Sequence, residues 1–358
     1  AVHAQDYTNG TLTGTVEGTN GEPIAGAMVT IVSNAQGITR TSTTGADGQF
    51  RAPLIPTGTY RVTVEAPGFD SVQDNVSVGL GGNAFVFTLG ATNASTVDEI
   101  VVTGVRRSLD LSRAATGVSI DVDELIESVP VARNITAITL LAPGAVVGDQ
   151  QFAVGGSQLL TPPALGGAGP AENAFFVNGL NITNFVTGLG GATVPFEFYK
   201  NVEVKTGGYS AEFGRATGGI INATTKSGTN DFVFELHGTW SPDSLRQDSP
   251  DTPAGPHYLG IVNSLSEFDE QTLTLEMGGP IIRDRLFAYG IVAYNDTEAQ
   301  TATSSGTTGT LNRDVFSDEP FYGVKLDGYI TADHRLEFTY FDTSSSRTRD
   351  SFNYNPIT

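Results

Sequence analysis

The stretch TGGYSAEFGRATGGIINATTKSGTN, Thr206 to Asn230, combines glycine-rich bends with a short run of β-branched residues. Its glycines predict tight turns between brief strands, because glycine adopts positive φ angles at little steric cost. Its ending around Lys226 only superficially matches a phosphate-binding loop, since no glycine directly precedes the lysine and the spacing from Gly219 is wrong. We therefore interpret the stretch as structural, ending in a hinge before a strand that begins near Phe232.

The composition of the 358-residue chain predicts a mostly-β protein of two or three domains. Short runs of Val, Ile, Phe and Tyr alternate with Gly, Asn, Asp and Thr, which is typical of strands and turns. The net charge of -20 argues against a nucleic-acid partner, because such affinity comes from Lys and Arg. The absence of cysteine excludes disulfides, thiol catalysis and thiolate metal sites. No run reaches the roughly 18 apolar residues of a membrane-spanning helix, so any membrane role would need strands.

Residues 1–10 are interpreted as a signal remnant or N-terminal tail. Val2 and Ala4 have the small-residue spacing of a secretory signal end, which predicts export with cleavage before Gln5. An arbitrary chain boundary explains the same residues equally well.

Residues 11–90 predict a seven-strand β-sandwich. Each segment alternates polar and apolar residues, as Val62 and Val64 do around Thr63, which suits a sheet with one buried face. The seven segments are TLTGTVEG, AMVTIVS, ITRTSTTG, QFRAPLI, TYRVTVEAPG, VQDNVSVG and AFVFTLG.

Residues 91–108 form a polar linker around the β-branched run Ile100 to Val102. This run is either a buried strand of a neighbouring domain or an exposed segment that adds as a strand to the sheet edge of a partner. Composition does not choose between the two.

Residues 109–230 predict an α+β domain. Two short helices are expected, with Asp121 or Asp123 as an N-terminal cap and Pro143-Gly144 as a stop. Brief strands joined by glycine-rich turns follow them.

Residues 231–358 change to longer alternating segments, five in all. Long polar connections at 241–269 and 297–319 alternate with short turns at 278–284 and 331–334. A soluble sandwich would also alternate, but the long/short asymmetry and the aromatics at strand ends favour the first strands of an antiparallel transmembrane β-barrel.

Five motifs carry a family resemblance. The chain resembles TonB-dependent outer-membrane receptors of the Oar-like group, in which a carboxypeptidase-regulatory-like domain precedes a plug domain and a large barrel. The motifs are VDEIVVTG (97–104), FAVGGSQ (152–158), ENAFFVNGLNITN (172–184), VEVKTGGYSAEFGRATGGIINATTKSGTN (202–230) and LEMGGPIIRDRLFAYG (275–290).

The resemblance implies energy-coupled uptake of an unidentified substrate across the Gram-negative outer membrane. TonB, the inner-membrane energy-transducing protein, and outer-membrane lipid are the implied partners, with the N-terminal domain in the periplasm. No enzymatic activity and no cofactor are implied. The alternative is a structural or adhesive outer-membrane protein that binds a surface partner without transport.

The resemblance also assigns roles to residues. The TonB box, the segment to which TonB adds as a strand, is Asp98, Glu99, Ile100, Val101, Val102 and Thr103. Glu212 and Arg215 are the expected plug contacts to the barrel wall, with inward-facing residues such as Glu235 and Glu276 as their partners. Asn178 stands where similar receptors usually have Asp, and we expect its neutral side chain to weaken a plug contact.

The number of strands departs from the family pattern. Receptors of this kind resemble plugged barrels of about 22 strands, whereas five are visible here. An open sheet leaves unpaired backbone groups in lipid, each costing several kcal/mol. We therefore expect the chain to be a fragment, a truncation or one part of a barrel.

Metal and catalytic chemistry have weak support in the sequence. His334 and Glu337 are three residues apart on a predicted strand, so they face opposite sides and cannot share one metal without a bend. No further metal-binding residue lies at a sequence spacing typical of metal sites from His3, His237 or His257, so no metal site is predicted. Asp- and Asn-rich loops leave weak calcium binding open.

Overall fold

The protein is mostly β, with two short helices in its described part. Among the described residues, no helix is long and apolar enough to cross a membrane. The computed structural model describes residues 7–91, 104–108, 116–128, 133–148, 162–185, 188–209, 213–247, 250–255, 258–305, 308–317, 320–331, 334–344 and 346–355.

The first domain is a sandwich of two mostly antiparallel β-sheets, which confirms the seven predicted strands. One sheet has the order β4-β1-β7 and the other β3-β2-β5-β6, with β1 and β7 running parallel. Alternate side chains of each strand meet in one apolar core between the sheets, as Val62 and Val64 do on β5. The strands are β1 (Asn9–Gly18), β2 (Met28–Ser33), β3 (Thr39–Thr43), β4 (Gln49–Pro56), β5 (Gly58–Glu65), β6 (Val72–Val78) and β7 (Gly81–Leu89).

An eighth strand, β8 (Gly104–Ser108), extends the first sheet of this sandwich. It pairs antiparallel with β7, from Thr88 opposite Gly104 to Ala84 opposite Ser108. This differs from the prediction of a linker through residue 108, and the reason is that an open edge of β7 offers unpaired backbone groups to any extended segment. The run 100–102 lies outside the described residues.

The second part of the chain, residues 116–225, is called here the central domain. Its five-stranded sheet has the order β13-β12-β15-β14-β9, and β12 runs parallel to β15. Both of these strands are buried along their whole length, which fits their central position in the sheet. The elements are β9 (Thr116–Asp121), α1 (Val122–Ser128), α2 (Ile135–Thr139), β10 (Ala145–Val146), β11 (Ala164–Leu165), β12 (Ala174–Val177), β13 (Leu180–Asn181), β14 (Tyr199–Gly207) and β15 (Ile220–Thr225).

The two helices of the central domain begin at side-chain caps. Oδ1 of Asp121 accepts hydrogen bonds from the backbone N–H groups of Asp123 and Glu124, so Asp121 is the cap of α1. Oδ1 of Asn134 accepts from the backbone of Ala137 at the start of α2. The two predicted helices are therefore present, and Asp121 takes the capping role.

The third part, called here the C-terminal sheet, contains nine strands. β19 pairs with β16 on one side and with β20 on the other. β20 in turn pairs with β22 near its start and with β21 near its end. The strands are β16 (Val233–Ser241), β17 (Thr252–Gly255), β18 (Tyr258–Ile261), β19 (Glu267–Ile282), β20 (Leu286–Ser305), β21 (Thr308–Ser317), β22 (Phe321–Thr331), β23 (His334–Asp342) and β24 (Ser346–Tyr354).

In the register of this sheet, the main strands correspond to the five long segments that the sequence predicts. Along β20, Ala293 pairs with Phe321 and Thr297 pairs with Phe316, so one extra residue lies on the partner side, as in a β-bulge. β21 and β22 therefore continue one another, and β23 and β24 pair with them in the same order. The predicted long loop at 297–319 is wrong, because its threonine-rich sequence extends β20 and returns as β21.

The C-terminal sheet exposes apolar side chains on one face and buries polar ones on the other. On β19, Leu273 and Met277 are exposed, whereas Thr274 and Glu276 are buried. The same inversion holds on β22, whereas β20 buries the apolar side chains of Phe287 and Ile291 on its inner face. The exposed residues include Phe234, Leu236, Trp240, Val292, Tyr294, Val324, Leu336, Phe338 and Tyr340, and the buried ones include Asp314, Lys325 and Asp327.

The sandwich contacts the end of the C-terminal sheet that carries the short turns. Gln36 is buried there; its side chain donates to the carbonyl of Gly228 at 3.0 Å and accepts from the Tyr329 hydroxyl at 2.7 Å. The backbone N–H of Asn230 donates to the carbonyl of Ala35 at 2.8 Å. The long connection between β16 and β19 therefore leaves from the opposite end of the sheet.

Candidate functional site: the contact between the central domain and the C-terminal sheet

An aromatic cluster fixes the central domain against the inner face of the C-terminal sheet. Phe198 lies just before β14 and is fully buried. Its ring centroid is 6.0 Å from that of Tyr289 on β20, 5.6 Å from Phe321 on β22 and 6.1 Å from Phe341 on β23. One side chain therefore joins the central domain to three strands of the sheet.

A buried ion pair lies beside this aromatic cluster. The chain leaves β15 at Thr225, and the backbone N–H of Lys226 donates to the carbonyl of Phe198 at 2.9 Å, which sets the direction of the lysine side chain. Its Nζ is 2.9 Å from Oε2 of Glu276 on β19, and the Tyr289 hydroxyl donates to the same oxygen. Glu276 is only 2% exposed, so its negative charge depends on these partners.

The pair belongs to a larger group of charges, called here the Glu276 cluster. Lys226 is also 3.6 Å from Asp123, and Lys200 is within 3.1 Å of both Asp121 and Asp123. On the other side of Glu276, His237 Nε2 lies 3.3 Å from its Oε1. The cluster comprises Asp121, Asp123, Lys200, Lys226, Glu235, His237 and Glu276.

The Lys200 ammonium is stabilised within this cluster. Burial alone would lower its pKa, but the neighbouring carboxylates of Asp121 and Asp123 outweigh burial and raise the pKa above the ordinary lysine value. Lys200 therefore stays charged and ties the start of α1 to β14.

A second group of charges, called here the Asp327 cluster, lies on β22 and β23. It consists of Lys325, Asp327, Arg335 and Glu337. Arg335 contacts Asp327 and Glu337, and Lys325 Nζ is 3.4 Å from Glu337. Lys325 also donates to the carbonyl of Thr225 at 3.1 Å, so this cluster too holds the end of β15.

Asn178 joins the central domain to the same strands. Its side-chain Nδ2 donates to Oγ1 of Thr339 on β23 at 2.9 Å and to Oγ1 of Thr225 at 2.7 Å. Its Oδ1 accepts from the backbone N–H of Thr225 at 3.0 Å. Asn178 therefore makes three hydrogen bonds at this contact, and the expectation that its neutral side chain weakens a plug contact stays a prediction.

Comparison with known proteins identifies this arrangement of domains. Residues 11–89 match the carboxypeptidase regulatory-like domain, and residues 110–220 match the TonB-dependent receptor plug domain. The TonB-dependent transporter Oar of Myxococcus xanthus is 29% identical over 371 residues, which cover 94% of this chain. These matches support a TonB-dependent receptor of the Oar-like group. This family consists of outer-membrane β-barrel proteins that act as transporters or receptors.

The chain spans about a third of the length of that relative, 34%. Two solved receptor structures are also similar in part. A mutant of the ferric enterobactin receptor from Pseudomonas aeruginosa is 15% identical over 66% of this chain and 34% of its own, with a TM-score of 0.42. The siderophore receptor PirA from Acinetobacter baumannii is 17% identical over 59% of this chain and 37% of its own, with a TM-score of 0.38.

The receptor's predicted site residues lie partly within the described structure. The predicted TonB box, 98–103, and Glu212 lie outside the described residues. Arg215 has a φ of 67° and an exposed side chain, and its contact with the barrel wall stays a prediction. Glu276 was expected to face the plug and does so, although Lys226 is its partner in the described part of the receptor.

Sequence reasoning singled out Asn178 but missed the plug–wall contacts of Lys226 and Lys325. A usable signal for Lys325 was present, because it occupies the polar face of an alternating strand, between Val324 and Leu326. Lys226 gave a weaker signal, as the first cation after the buried strand β15.

Proposed function

We propose that this chain forms the N-terminal domain, the plug and the first wall strands of an energy-coupled importer of the outer membrane. A substrate binds between the plug and the outer loops, TonB adds to the segment 98–103, and force on that segment rearranges the plug. The proposal assigns no catalytic step to the chain.

The observation that carries the proposal is the inverted C-terminal sheet. Outer-membrane barrels turn apolar side chains to lipid and polar ones to the interior. Leu273, Met277 and Phe338 are exposed, whereas Glu276 and Asp327 are buried. Glu276 pairs there with Lys226 of the plug. A sheet of this kind suits a lipid outer surface with a plug inside.

The contacts of the plug support a gate that opens by rearrangement. The ion pair Lys226–Glu276 and the hydrogen bond from Asn178 to Thr339 join the plug to separate wall strands. Polar contacts of this kind exchange for water once the plug moves, whereas an apolar interface would leave its surfaces exposed. The plug is therefore held firmly and reversibly.

The position of the sandwich supports a periplasmic N-terminal domain. Its Gln36 contacts the end of the sheet with the short turns. In outer-membrane barrels the short turns face the periplasm and the longer loops face outward. The sandwich and the linker that follows it would then lie on the side from which TonB acts.

A disulfide cross-link tests the proposal without knowledge of the substrate. These 358 residues contain no cysteine, so Val101→Cys introduces their first thiol, and any cysteine elsewhere in the full-length receptor is replaced by serine beforehand. We expect it to cross-link to a cysteine in the periplasmic domain of TonB under mild oxidation, because strand addition places the two backbones about 5 Å apart. The matched control is Asn20→Cys, an exposed position in a turn of the sandwich.

Two outcomes would contradict the proposal. Equal cross-linking at both positions would mean non-specific collision, and no cross-linking at residue 101 would favour a structural or adhesive outer-membrane protein. Such a protein should also keep its surface phenotype unchanged in cells that lack TonB.

A further inference from the structure

Three side chains of the Glu276 cluster converge from two neighbouring wall strands. Glu235 and His237 lie on β16, and Glu276 lies on β19. The register places Glu235 directly opposite Glu276, and His237 opposite Thr274. All three side chains project from the same face of the sheet, and their ligand atoms lie within 4.8 Å of one another.

The distances between these three side chains suit a metal ion bound by all of them. Nε2 of His237 lies 3.2 Å from Oε2 of Glu235 and 3.3 Å from Oε1 of Glu276. A single N–H points at one acceptor only, so one imidazole nitrogen cannot satisfy both carboxylates. In a tetrahedral site with bonds of about 2.0 Å, neighbouring ligand atoms are about 3.3 Å apart. The spacing is therefore that of two edges of a metal coordination tetrahedron.

The carboxylate of Glu276 has a free oxygen directed into this group. Its Oε2 accepts from Lys226 and Tyr289, whereas its buried Oε1 has no hydrogen-bond partner among the described residues. Oε2 of Glu337 in the Asp327 cluster also lacks a hydrogen bond, but it lies 2.6 Å from the Arg335 guanidinium. Oε1 of Glu276 has no Lys or Arg beside it among the described residues, and its neighbour is the His237 imidazole at 3.3 Å.

The two clusters also differ in net charge. The Asp327 cluster has two carboxylates and two cations and is balanced. The Glu276 cluster has four carboxylates and two ammonium groups, so with a neutral imidazole its net charge is -2. One divalent cation would balance it.

We propose that Glu235, His237 and Glu276 bind a divalent transition-metal ion of the Zn²⁺ class, with water in the remaining position. An imidazole nitrogen with two carboxylate oxygens is a donor set that favours such ions over Mg²⁺ or Ca²⁺, which prefer oxygen alone. This inference goes beyond the proposed transport function and does not depend on the substrate.

The metal links wall and plug through Glu276. It cross-links β16 to β19, and it shares a carboxylate with Lys226, whose positive charge it repels. Metal binding therefore strengthens the wall at its first strand and weakens the ion pair that holds the plug. By reciprocity, removal of the Lys226 charge strengthens metal binding.

The test is zinc titration of the full-length receptor in detergent, purified without a histidine tag. We expect one Zn²⁺ per chain by calorimetry and by metal analysis after dialysis. His237→Ala and Glu276→Gln should each weaken binding about 100-fold or more, since even the loss of an outer partner of a metal ligand costs about 10- to 100-fold. The matched control His334→Ala, at the start of β23 in the same sheet, should bind Zn²⁺ like the parent protein.

A second test uses the variant Lys226→Met. It should bind Zn²⁺ about tenfold more tightly than the parent protein, because the change removes a positive charge next to the site. Folding of every variant is checked by the resistance of the barrel to unfolding in unheated detergent gels. Absence of stoichiometric Zn²⁺ in the parent protein would overturn the proposal. Unchanged affinity in folded His237→Ala would also overturn it, since the ion would then bind elsewhere.

Discussion

The sandwich and the C-terminal sheet are both built from strands with alternating polar and apolar residues, yet they bury opposite faces. In the sandwich, Val62 and Val64 are fully buried and their polar neighbours are exposed. In the C-terminal sheet, Glu276 and Asp327 are buried and Phe338 is 56% exposed. Alternation therefore fixes which residues share a face, while the surroundings decide which face lies inside.

The difference has a physical origin in what covers each sheet. The sandwich covers its apolar face with a second sheet of its own, so it is complete in water. The C-terminal sheet covers its inner face, which carries buried polar residues and the aromatic cluster around Phe198, with the central domain, and leaves its outer apolar face open. An exposed apolar surface of that extent marks a partner or a membrane.

The largest expected effect is at the sandwich core. Val64→Lys buries a cation without a partner among apolar residues and should destabilise the sandwich by about 4 kcal/mol. Hydrogen exchange of the β5 backbone would measure it. Thr63→Lys, on the opposite face of the same strand, is the control and should change stability by less than about 0.5 kcal/mol. Equal losses for both variants would mean that the faces of β5 are not distinct.

A smaller effect is expected where plug and wall meet. Lys226→Met leaves the carboxylate of Glu276 buried without its cation, and we expect a loss of about 3 kcal/mol in the plug–wall interaction. Protection of the β15 amides from hydrogen exchange would report it.

A matched control and a double-mutant cycle separate this effect from general destabilisation. Lys200→Met removes a half-buried lysine whose partners both lie in the central domain, so it should leave the plug–wall interaction unchanged. Combining Lys226→Met with Glu276→Gln should cost less than the sum of the single changes. Additive losses would show that the two residues do not act as a pair.

The smallest expected effect is on the exposed face of the C-terminal sheet, and it depends on the solvent. Phe338→Lys should destabilise the full-length receptor in lipid vesicles by about 2 kcal/mol, because its outward face would meet hydrocarbon. Folding titrations in vesicles of defined lipid would measure it. An equal loss for the matched apolar change Phe338→Leu would contradict the assignment of this face to lipid.

The sequence predicted the strands and their faces well, because both follow from local patterns. The seven sandwich strands, the two short helices and the five long segments depend on alternation, caps and turn residues within about ten positions. The threonine-rich stretch 297–319 was misread as a loop for the same reason, since polar residues at a strand end look like a connection.

The contacts between domains were predicted poorly, because they join distant parts of the chain. Lys226 and Glu276 are 50 residues apart, and Asn178 and Thr339 are 161 apart. The third ligand of the proposed metal site also comes from a neighbouring strand, so spacing around His237 alone does not reveal it. Only the register of β16 against β19 brings these side chains together.

The strand β8 has a mechanical consequence. It pairs with β7 on the edge of the sandwich, and the segment 90–103 joins the two. Both ends of that segment enter the sandwich, through β7 and through β8, so tension applied within it reaches the plug only once β8 separates from β7. Under the proposed function, force on this segment thus acts on the sandwich as well as on the plug. A pull strong enough to move the plug also strains the hydrogen bonds of Gln36 at the rim of the wall.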